Sequence, residues 1–302
     1  MTHFKNKNKN GLLHDLVADA LSEVAGQNVI IQTERNLGGG CINHASKLET
    51  NAGNFFLKWN DNCPADIFLR EAQSLRELKK SAGELLVIPE VFAAKQVDDT
   101  PGFLVLEYLE NNRSSFNADE KLGRGLAKIH QFKNTQFGFD NNNYCGATLQ
   151  NNLWKNNWAV FFRDNRLQFL LNLIEKERPL PASEVVIYEK LLQRIESLIP
   201  KESTPVLIHG DLWSGNYMIS EKGPVLIDPA SYYADHEMEF AIITMFGGFS
   251  QRFYDAYNEV NPLPDDWKKR NSLYQLYHVL NHYYLFGGGY RTQAVQIAKS
   301  YL

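Results

Sequence analysis

The hydrophobic pattern of this 302-residue chain changes near residue 110, and this change restricts the fold more than any other feature. Before that point, short runs rich in β-branched and aromatic residues are separated by Gly, Asn and Asp. These runs predict strands at 29–37, 42–48, 55–59, 91–97 and 103–109. Beyond it, apolar residues recur at helical spacing. That spacing predicts helices at 117–131, 155–176, 183–199, 235–259 and 265–286. A strand-rich part followed by a helical part indicates an α+β protein.

Two further helices are predicted within the strand-rich part, at 11–25 and 65–80, and its first three strands read as an antiparallel meander. The helical part contains one predicted pair of short apolar strands, 206–208 and 225–227. The polar stretch 110–115 is the expected crossing between the two parts. We therefore predict a first domain at 1–109 and a second at 110–302.

Composition excludes several classes of protein. With 44% hydrophobic and 22% charged residues the chain is typical of a folded protein, and its formal charge of -4 offers no general attraction to nucleic acid or anionic membranes. The most apolar stretch, 240–246, is far shorter than the ~20 residues that a membrane span needs. Three widely spaced cysteines and no export signal indicate a reducing compartment. We expect a cytoplasmic protein that binds neither nucleic acid nor membranes.

The strongest local signal is the sequence H-G-D-L-W-S-G-N at 209–216, which follows the first short apolar run, with Asp228 after the second. This order would place Asp211, Asn216 and Asp228 at strand ends that face one cleft. Amide and carboxylate oxygens suit Mg²⁺, and a further carboxylate, Asp211, could accept a proton from a hydroxyl that attacks phosphorus. Each residue alone is also a common turn former. Their joint spacing resembles the catalytic loop and metal-binding Asp of the protein-kinase-like fold.

A glycine run, Gly38, Gly39 and Gly40, lies between the first two predicted strands. Glycines let backbone amides approach phosphate oxygens without obstruction by a Cβ atom. The spacing matches neither the Walker pattern nor G-x-G-x-x-G, so a flexible turn is the alternative. The third predicted strand, 55–59, contains a lysine, and this lysine favours the phosphate-binding interpretation of the glycine run.

That lysine is Lys58, which shares a strand face with Phe56. A lysine on a strand is usually a solvated edge charge. On the following predicted helix, however, Glu71 lies on the apolar stripe between Phe68 and Leu75, and an inward glutamate requires a cation. We therefore predict that Lys58 pairs with Glu71 and holds its ammonium toward nucleotide α- and β-phosphates.

Other polar residues receive weaker assignments. Glu107 and Leu109 end the last strand before the crossing, where their main-chain groups could read an adenine edge, although an ordinary core strand is the alternative. His278 and His282 have the spacing of two zinc ligands but lack the glutamate of H-E-x-x-H, so helix packing is favoured. His209 is expected to brace the loop before the predicted base.

Several segments together resemble the fructosamine kinase family, which is related to aminoglycoside and choline kinases. They are 209–216, 123–130, the aromatic residues between 154 and 162, 232–233, 246–249 and 277–282. The resemblance covers nearly the whole chain after its basic start. It implies a bilobal protein-kinase-like fold, with a small antiparallel β-rich N-lobe and a larger, mainly helical C-lobe. It also implies a kinase that uses ATP and Mg²⁺ to phosphorylate the sugar 3-hydroxyl of small-molecule or protein-linked ketosamines.

Roles for single residues follow from the same resemblance. Asp211 is implied to be the catalytic base, Asn216 and Asp228 the metal ligands, and Lys58 with Glu71 the pair that anchors phosphate. The segment 1–109 becomes a nucleotide-binding lobe and 110–302 a catalytic and substrate-binding lobe.

Two further residues have competing interpretations. The Trp213 indole is hypothesised to stack on the sugar or its linked amine, against the alternative that it only packs the loop. Cys41 in the glycine run is either a small buried filler or, as in some family members, a redox-responsive thiol.

Three other functions are also considered for this sequence. One is a different small-molecule kinase, of the aminoglycoside, choline or homoserine type. A second is a nucleotide-binding pseudokinase, against which the complete set of predicted site residues argues. A metallophosphoesterase ranks lower, because no D-x-H precedes the Gly-Asp motif in suitable order. Both a monomer and a homodimer are compatible with the sequence.

Overall fold

The computed structural model of the chain describes residues 2–38, 43–112 and 117–302, with side chains from residue 11 onward. Its first part contains a five-stranded antiparallel sheet in the order β1-β2-β3-β5-β4. The strands are β1 (Ile31–Asn36), β2 (His44–Thr50), β3 (Gly53–Asn60), β4 (Val91–Lys95) and β5 (Gly102–Glu107). The predicted meander of the first three strands is confirmed, and β3 lies at the centre of the sheet.

Two helices cover the two faces of this sheet. Helix α1 (Thr2–Ala25) buries Leu13, Val17 and Leu21 on one face, together with Leu57 of β3. Helix α2 (Ile67–Ser81) packs on the other face. Because successive strand residues point to opposite faces, the position after Leu57 faces α2. This alternation directs the side chain of Lys58 toward α2, as the sequence predicts.

The second part is mainly helical. Its helices are α3 (Ala118–Ile129), α4 (Trp158–Phe161), α5 (Phe169–Glu177), α6 (Ala182–Leu198), α7 (Glu237–Met245), α8 (Gln251–Asn258), α9 (Trp267–Phe286) and α10 (Tyr290–Ser300). A π-helical segment, Phe162–Gln168, joins α4 to α5 within the predicted helix 155–176. The predicted helix 235–259 is two helices, because Gly247 and Gly248 have φ of 96° and 73°. Helix α10 was not predicted.

The expectation of a single strand pair in this part was wrong. Besides the hairpin of β6 (Asn143–Cys145) and β7 (Thr148–Gln150), β8 (Val206–Ile208) pairs with β11 (Tyr232–Ala234), and β9 (Tyr217–Ser220) pairs with β10 (Gly223–Leu226). The two predicted strands are present, but each has a different partner. Strands of three or four residues are too short for an alternating pattern to be recognised.

The two parts are joined through main-chain hydrogen bonds around β9 and β10. The Val87 N–H donates to the Pro224 carbonyl at 2.7 Å, and the Leu226 N–H donates to the Val87 carbonyl at 3.1 Å. A hydrophobic core runs from α2 into the helical part without a break. The result is the expected bilobal α+β architecture, with β10 held against the sheet-bearing lobe. Within the described ranges, no helix has the length and apolarity needed to cross a membrane.

Candidate active site

The loop after β8 holds Asp211 and Asn216 together. The Asn216 side-chain Nδ2 donates to the main-chain carbonyl of Asp211 at 2.8 Å and to its Oδ2 at 3.0 Å. The carboxylate is therefore fixed by the amide that the sequence predicts as a metal ligand. Since both hydrogen bonds use Nδ2, the Oδ1 atom of Asn216 is the side-chain atom left to meet a cation.

His209 braces this loop, as the sequence predicts. Its Nε2 lies 3.0 Å from the carbonyl of Ile227, and its Nδ1 accepts from the Asp211 N–H at 3.3 Å. Burial lowers the pKa of His209, which favours the neutral ring with a proton on Nε2. One imidazole thus connects the segment that carries Asp211 to the segment that ends at Asp228.

A buried glutamate that the sequence analysis missed supports the same loop. Glu239 of α7 accepts the N–H of His209 at 2.5 Å on Oε2 and the N–H of Gly210 at 3.0 Å on Oε1. Gly210 is required here, because its φ is 83° and an added Cβ would lie 2.3 Å from the Ala230 carbonyl oxygen. The available signal was a charged residue inside the apolar stretch 238–243, where a carboxylate needs donors.

Asp228 follows β10 with a φ of 55°, a left-handed conformation that is unusual for residues other than glycine and that concentrates at functional sites. The Ile227 N–H donates to the main-chain carbonyl of Asn216 at 3.1 Å, which ties together the segments of the two predicted metal ligands. An amide oxygen and a carboxylate are donors that Mg²⁺ takes alongside waters and phosphate oxygens. The residues present therefore fit Mg²⁺.

Lys58 joins the two lobes at this point. Its Nζ lies 3.0 and 2.9 Å from the two carboxylate oxygens of Glu71, and 2.9 Å from Oδ1 of Asp228. The side chains of Lys58 and Glu71 are 11% and 10% exposed, whereas that of Asp228 is 45% exposed. The expected Lys58–Glu71 pair is present, and the same ammonium also holds a carboxylate of the helical lobe.

Burial and charge shape the ionisation of these groups. Burial opposes the charge on Lys58, but the carboxylates of Asp228 and Glu71 outweigh it and raise the lysine pKa. Burial raises the pKa of Glu71, while Lys58 lowers that of Asp228 despite its desolvation. Burial, followed by the charge of Asp228, raises the pKa of Asp211 to about 8. A carboxylate with a near-neutral pKa is suited to general-base catalysis near pH 7.

The predicted nucleotide contacts in the sheet-bearing lobe are described in part. Gly38 is exposed after β1, whereas Gly39, Gly40 and Cys41 lie outside the described residues, so their assignments stay predictions. The Glu107 N–H donates to the carbonyl of Glu90 at 2.8 Å. The main-chain N–H of Glu107 is thus already paired, and the role of Glu107 toward an adenine stays a prediction.

The other candidate adenine contact, Leu109, lies half-buried two residues beyond the end of β5. Its role stays a prediction.

Trp213 begins an aromatic wall that the sequence analysis recognised only in part. The ring centroids of Trp213 and Phe246 are 5.4 Å apart, and those of Phe246 and His282 are 5.5 Å apart. The ring of His282 lies 5.7 Å from that of Phe286 and 5.1 Å from that of Tyr290. These five residues are the aromatic wall. Phe246 and Phe286 are 40% and 59% exposed, so the wall faces solvent next to the loop of Asp211. Only the fold brings α7, α9 and α10 together here.

The indole also packs the loop, because an added Cβ at Gly215 would lie 2.3 Å from the Trp213 ring. Both interpretations of Trp213 are therefore compatible with its position. The Nδ1 of His282 lies 2.7 Å from the main-chain carbonyl of His278, a contact within α9 that agrees with the helix packing favoured from the sequence.

Comparison with known proteins agrees with this geometry. The family description "Fructosamine kinase" matches residues 13–302. A probable ketoamine kinase of Synechocystis sp. is 37% identical over 288 residues, which cover 95% of this chain and 96% of that protein. The chloroplastic protein-ribulosamine 3-kinase of Arabidopsis thaliana is 36% identical over 274 residues, covering 88% of this chain and 82% of that protein.

Solved structures give the same result. A crystal structure from Thermobifida fusca, assigned as a fructosamine-3-kinase, superposes with a TM-score of 0.82 at 31% identity and covers 94% of this chain and 98% of its own. Aminoglycoside phosphotransferase APH(4)-Ia superposes with a TM-score of 0.60 at 14% identity, covering 94% and 98%, which shows a shared fold. Because the family match spans residues 13–302 and relatives above 30% identity cover nearly its full length, the chain belongs to the fructosamine kinase family.

Proposed function

We propose that this protein is an ATP-dependent kinase that phosphorylates the sugar 3-hydroxyl of ketosamines, the fructosamine and ribulosamine adducts formed by glycation, and so takes part in their repair. One observation carries the proposal: Lys58 bridges Glu71 and Asp228 at the junction of the lobes, while Asn216 holds Asp211 nearby in the same cleft. Ketoamine and ribulosamine 3-kinases among the relatives supply the substrate class.

Each lobe contributes different groups to the reaction. The lobe 1–109 binds ATP through its glycine run and through the Lys58 ammonium, and the lobe 110–302 supplies the remaining groups. Asn216 and Asp228 hold Mg²⁺, which neutralises charge on the phosphates. Asp211 accepts the proton of the sugar hydroxyl as its oxygen bonds to the γ-phosphorus, and ADP leaves with the electrons of the broken P–O bond.

The aromatic wall offers a place for the rest of the substrate. A ketosamine carries a secondary amine that is cationic at neutral pH, and aromatic faces attract a cation as well as apolar carbon. Trp213 lies two residues after Asp211, so a substrate amine over its ring would keep the sugar within reach of the base. A cytoplasmic location is part of the proposal, because three widely spaced cysteines in the sequence favour a reducing compartment.

A panel of acceptors tests this function. Purified protein with MgATP is assayed for ADP formation with fructosyl- and ribulosyl-lysine derivatives, and with choline and an aminoglycoside as controls. We expect ADP to form with the ketosamines but not with choline or the aminoglycoside. A 3-O-methyl ketosamine should also give no ADP, because it lacks the acceptor hydroxyl. Turnover confined to choline or the aminoglycoside would contradict the proposal.

The Asp211→Asn variant separates a kinase from a nucleotide-binding module without turnover. ATP binding, measured by calorimetry, should survive this substitution, while phosphoryl transfer falls by about 10²-fold or more. A protein that only binds nucleotide would show no transfer before or after the substitution.

A further inference from the structure

Asp211 has two close neighbours that the proposed reaction does not use. Cys145 ends β6, and His278 lies in the middle of α9. The Cys145 Sγ, a carboxylate oxygen of Asp211 and a ring nitrogen of His278 all lie within 4.8 Å of one another. Three different elements of the helical lobe therefore bring a sulfur, an oxygen and a nitrogen donor to one place.

The sulfur and nitrogen donors of this cluster have no role in the proposed reaction, whereas the Asp211 carboxylate already accepts a hydrogen bond from Asn216. Cys145 is a free thiol and 3% exposed. His278 is 1% exposed, and its Nδ1 is buried without a hydrogen-bond partner among the residues that the structure describes. Burial lowers the pKa of His278 to about 3, so the ring is neutral and retains a lone pair. A buried polar atom without a partner is unfavourable and calls for an explanation, such as an ion.

The chemistry of the donors selects the ion. A thiolate, an imidazole and a carboxylate are the three ligand types that Zn²⁺ takes, commonly with a fourth position left open. Bond lengths at tetrahedral Zn²⁺ place such donor atoms about 3.4 to 3.6 Å apart, so the cluster would contract by roughly 1 Å. Mg²⁺ prefers oxygen ligands, so excess Mg²⁺ is expected to fill the Asn216–Asp228 site rather than this cluster.

We propose that Cys145, Asp211 and His278 form a site for Zn²⁺ or another thiophilic divalent cation, and that filling it inhibits phosphoryl transfer. On binding, the Cys145 thiol loses its proton to solvent and its sulfur bonds to the metal. The metal also takes the Asp211 oxygen that would receive the substrate proton. The inhibitory part rests on the proposed kinase function, whereas metal binding does not.

Binding is tested on the full chain with Cys41→Ser and Cys63→Ser, so that Cys145 is the one thiol in the sequence. Co²⁺ is added in excess Mg²⁺ as a spectroscopic substitute for Zn²⁺. We expect one equivalent to bind with a thiolate-to-Co²⁺ charge-transfer band that Zn²⁺ displaces. Cys145→Ala should abolish the band, and His278→Gln should weaken binding at least tenfold. His14→Gln, on the surface, is the matched control and should bind as its parent does.

A band that survives Cys145→Ala, or no band at all, would overturn the site. A second measurement needs no further substitution: X-ray absorption of the Zn²⁺-loaded parent should show one sulfur at about 2.3 Å. A zinc coordination shell that contains only nitrogen and oxygen would also overturn the proposed site.

Activity then tests the regulatory part. With MgATP saturating, Zn²⁺ should inhibit ketosamine phosphorylation in the parent, and at least tenfold more Zn²⁺ should be needed in the Cys145→Ala variant. Equal inhibition of both proteins would overturn this part. If no ketosamine is phosphorylated at all, the proposed function fails, while the Co²⁺ band still decides whether the metal site exists.

Discussion

The ammonium of Lys58, on the central strand of the sheet, lies 2.9 Å from a carboxylate oxygen of Asp228, which follows a short strand of the other lobe. The two residues are 170 positions apart in the chain. Glu71 takes the remaining contacts of the same ammonium, so one buried cation holds two acidic groups. The relative position of the lobes is thereby coupled to the groups that are proposed to bind MgATP.

Replacing Lys58 by Met should lower kcat/KM for ATP by about 100-fold or more, because the phosphates lose a cation and two carboxylates are left to repel each other. Steady-state kinetics with varied ATP measure the effect. Lys80→Met is the control, since that lysine is 64% exposed in a surface pair with Glu77 and should change kcat/KM little. Equal kinetics for the two variants would contradict the proposed role of Lys58.

Glu239 is expected to act as a positioning residue for the loop of Asp211. Glu239→Ala should lower the free energy of unfolding by about 3 kcal/mol, because two buried N–H groups lose a charged acceptor. Glu239→Gln, which keeps one acceptor, should recover part of the stability and of kcat. Denaturant unfolding and kcat are measured together, with Glu259→Gln as the exposed control. A Glu239→Ala variant as stable as the parent would refute this account.

The pH dependence of the reaction should report the environment of Asp211. Its pKa is raised to about 8, so the free enzyme holds the proton at low pH and the base becomes available as pH rises. We expect kcat/KM for the ketosamine to increase through the neutral range, with a midpoint well above the usual aspartate pKa of about 4. A profile that is flat from pH 5 to pH 9, within the range where the protein stays folded, would argue against Asp211 as the base.

Trp213→Ala should raise KM for the ketosamine about tenfold or more and leave KM for ATP nearly unchanged. The reason is the loss of an aromatic face worth roughly 1 to 2 kcal/mol toward a cationic amine. The Trp213→Phe variant keeps an aromatic ring, so its KM for the ketosamine should lie between that of the parent protein and that of Trp213→Ala. Steady-state kinetics with each substrate varied in turn measure the difference. An equal rise in both KM values would indicate that the indole only packs the loop.

Local periodicity explains why part of this site could be predicted. Alternation in β3 places Lys58 on the face opposite Leu57, and the helical stripe of α2 places Glu71 on its inward side, so their pairing follows once α2 packs on that face. The order of polar residues in 209–216 likewise predicted that Asp211 and Asn216 would lie together. Their chemical roles stay predictions until kinetics test them.

The amino-acid sequence alone determined the change from strands to helices and the identity of the polar residues at the strand ends, because these depend on spacing along the chain, and its motifs resembled those of the family. Tertiary structure alone decided which distant elements meet: Glu239 beneath the loop, His278 and Cys145 beside Asp211, and the aromatic wall beyond Trp213. Periodicity tells which face of an element is buried, but it does not tell which other element covers that face. That choice follows from packing of the whole chain.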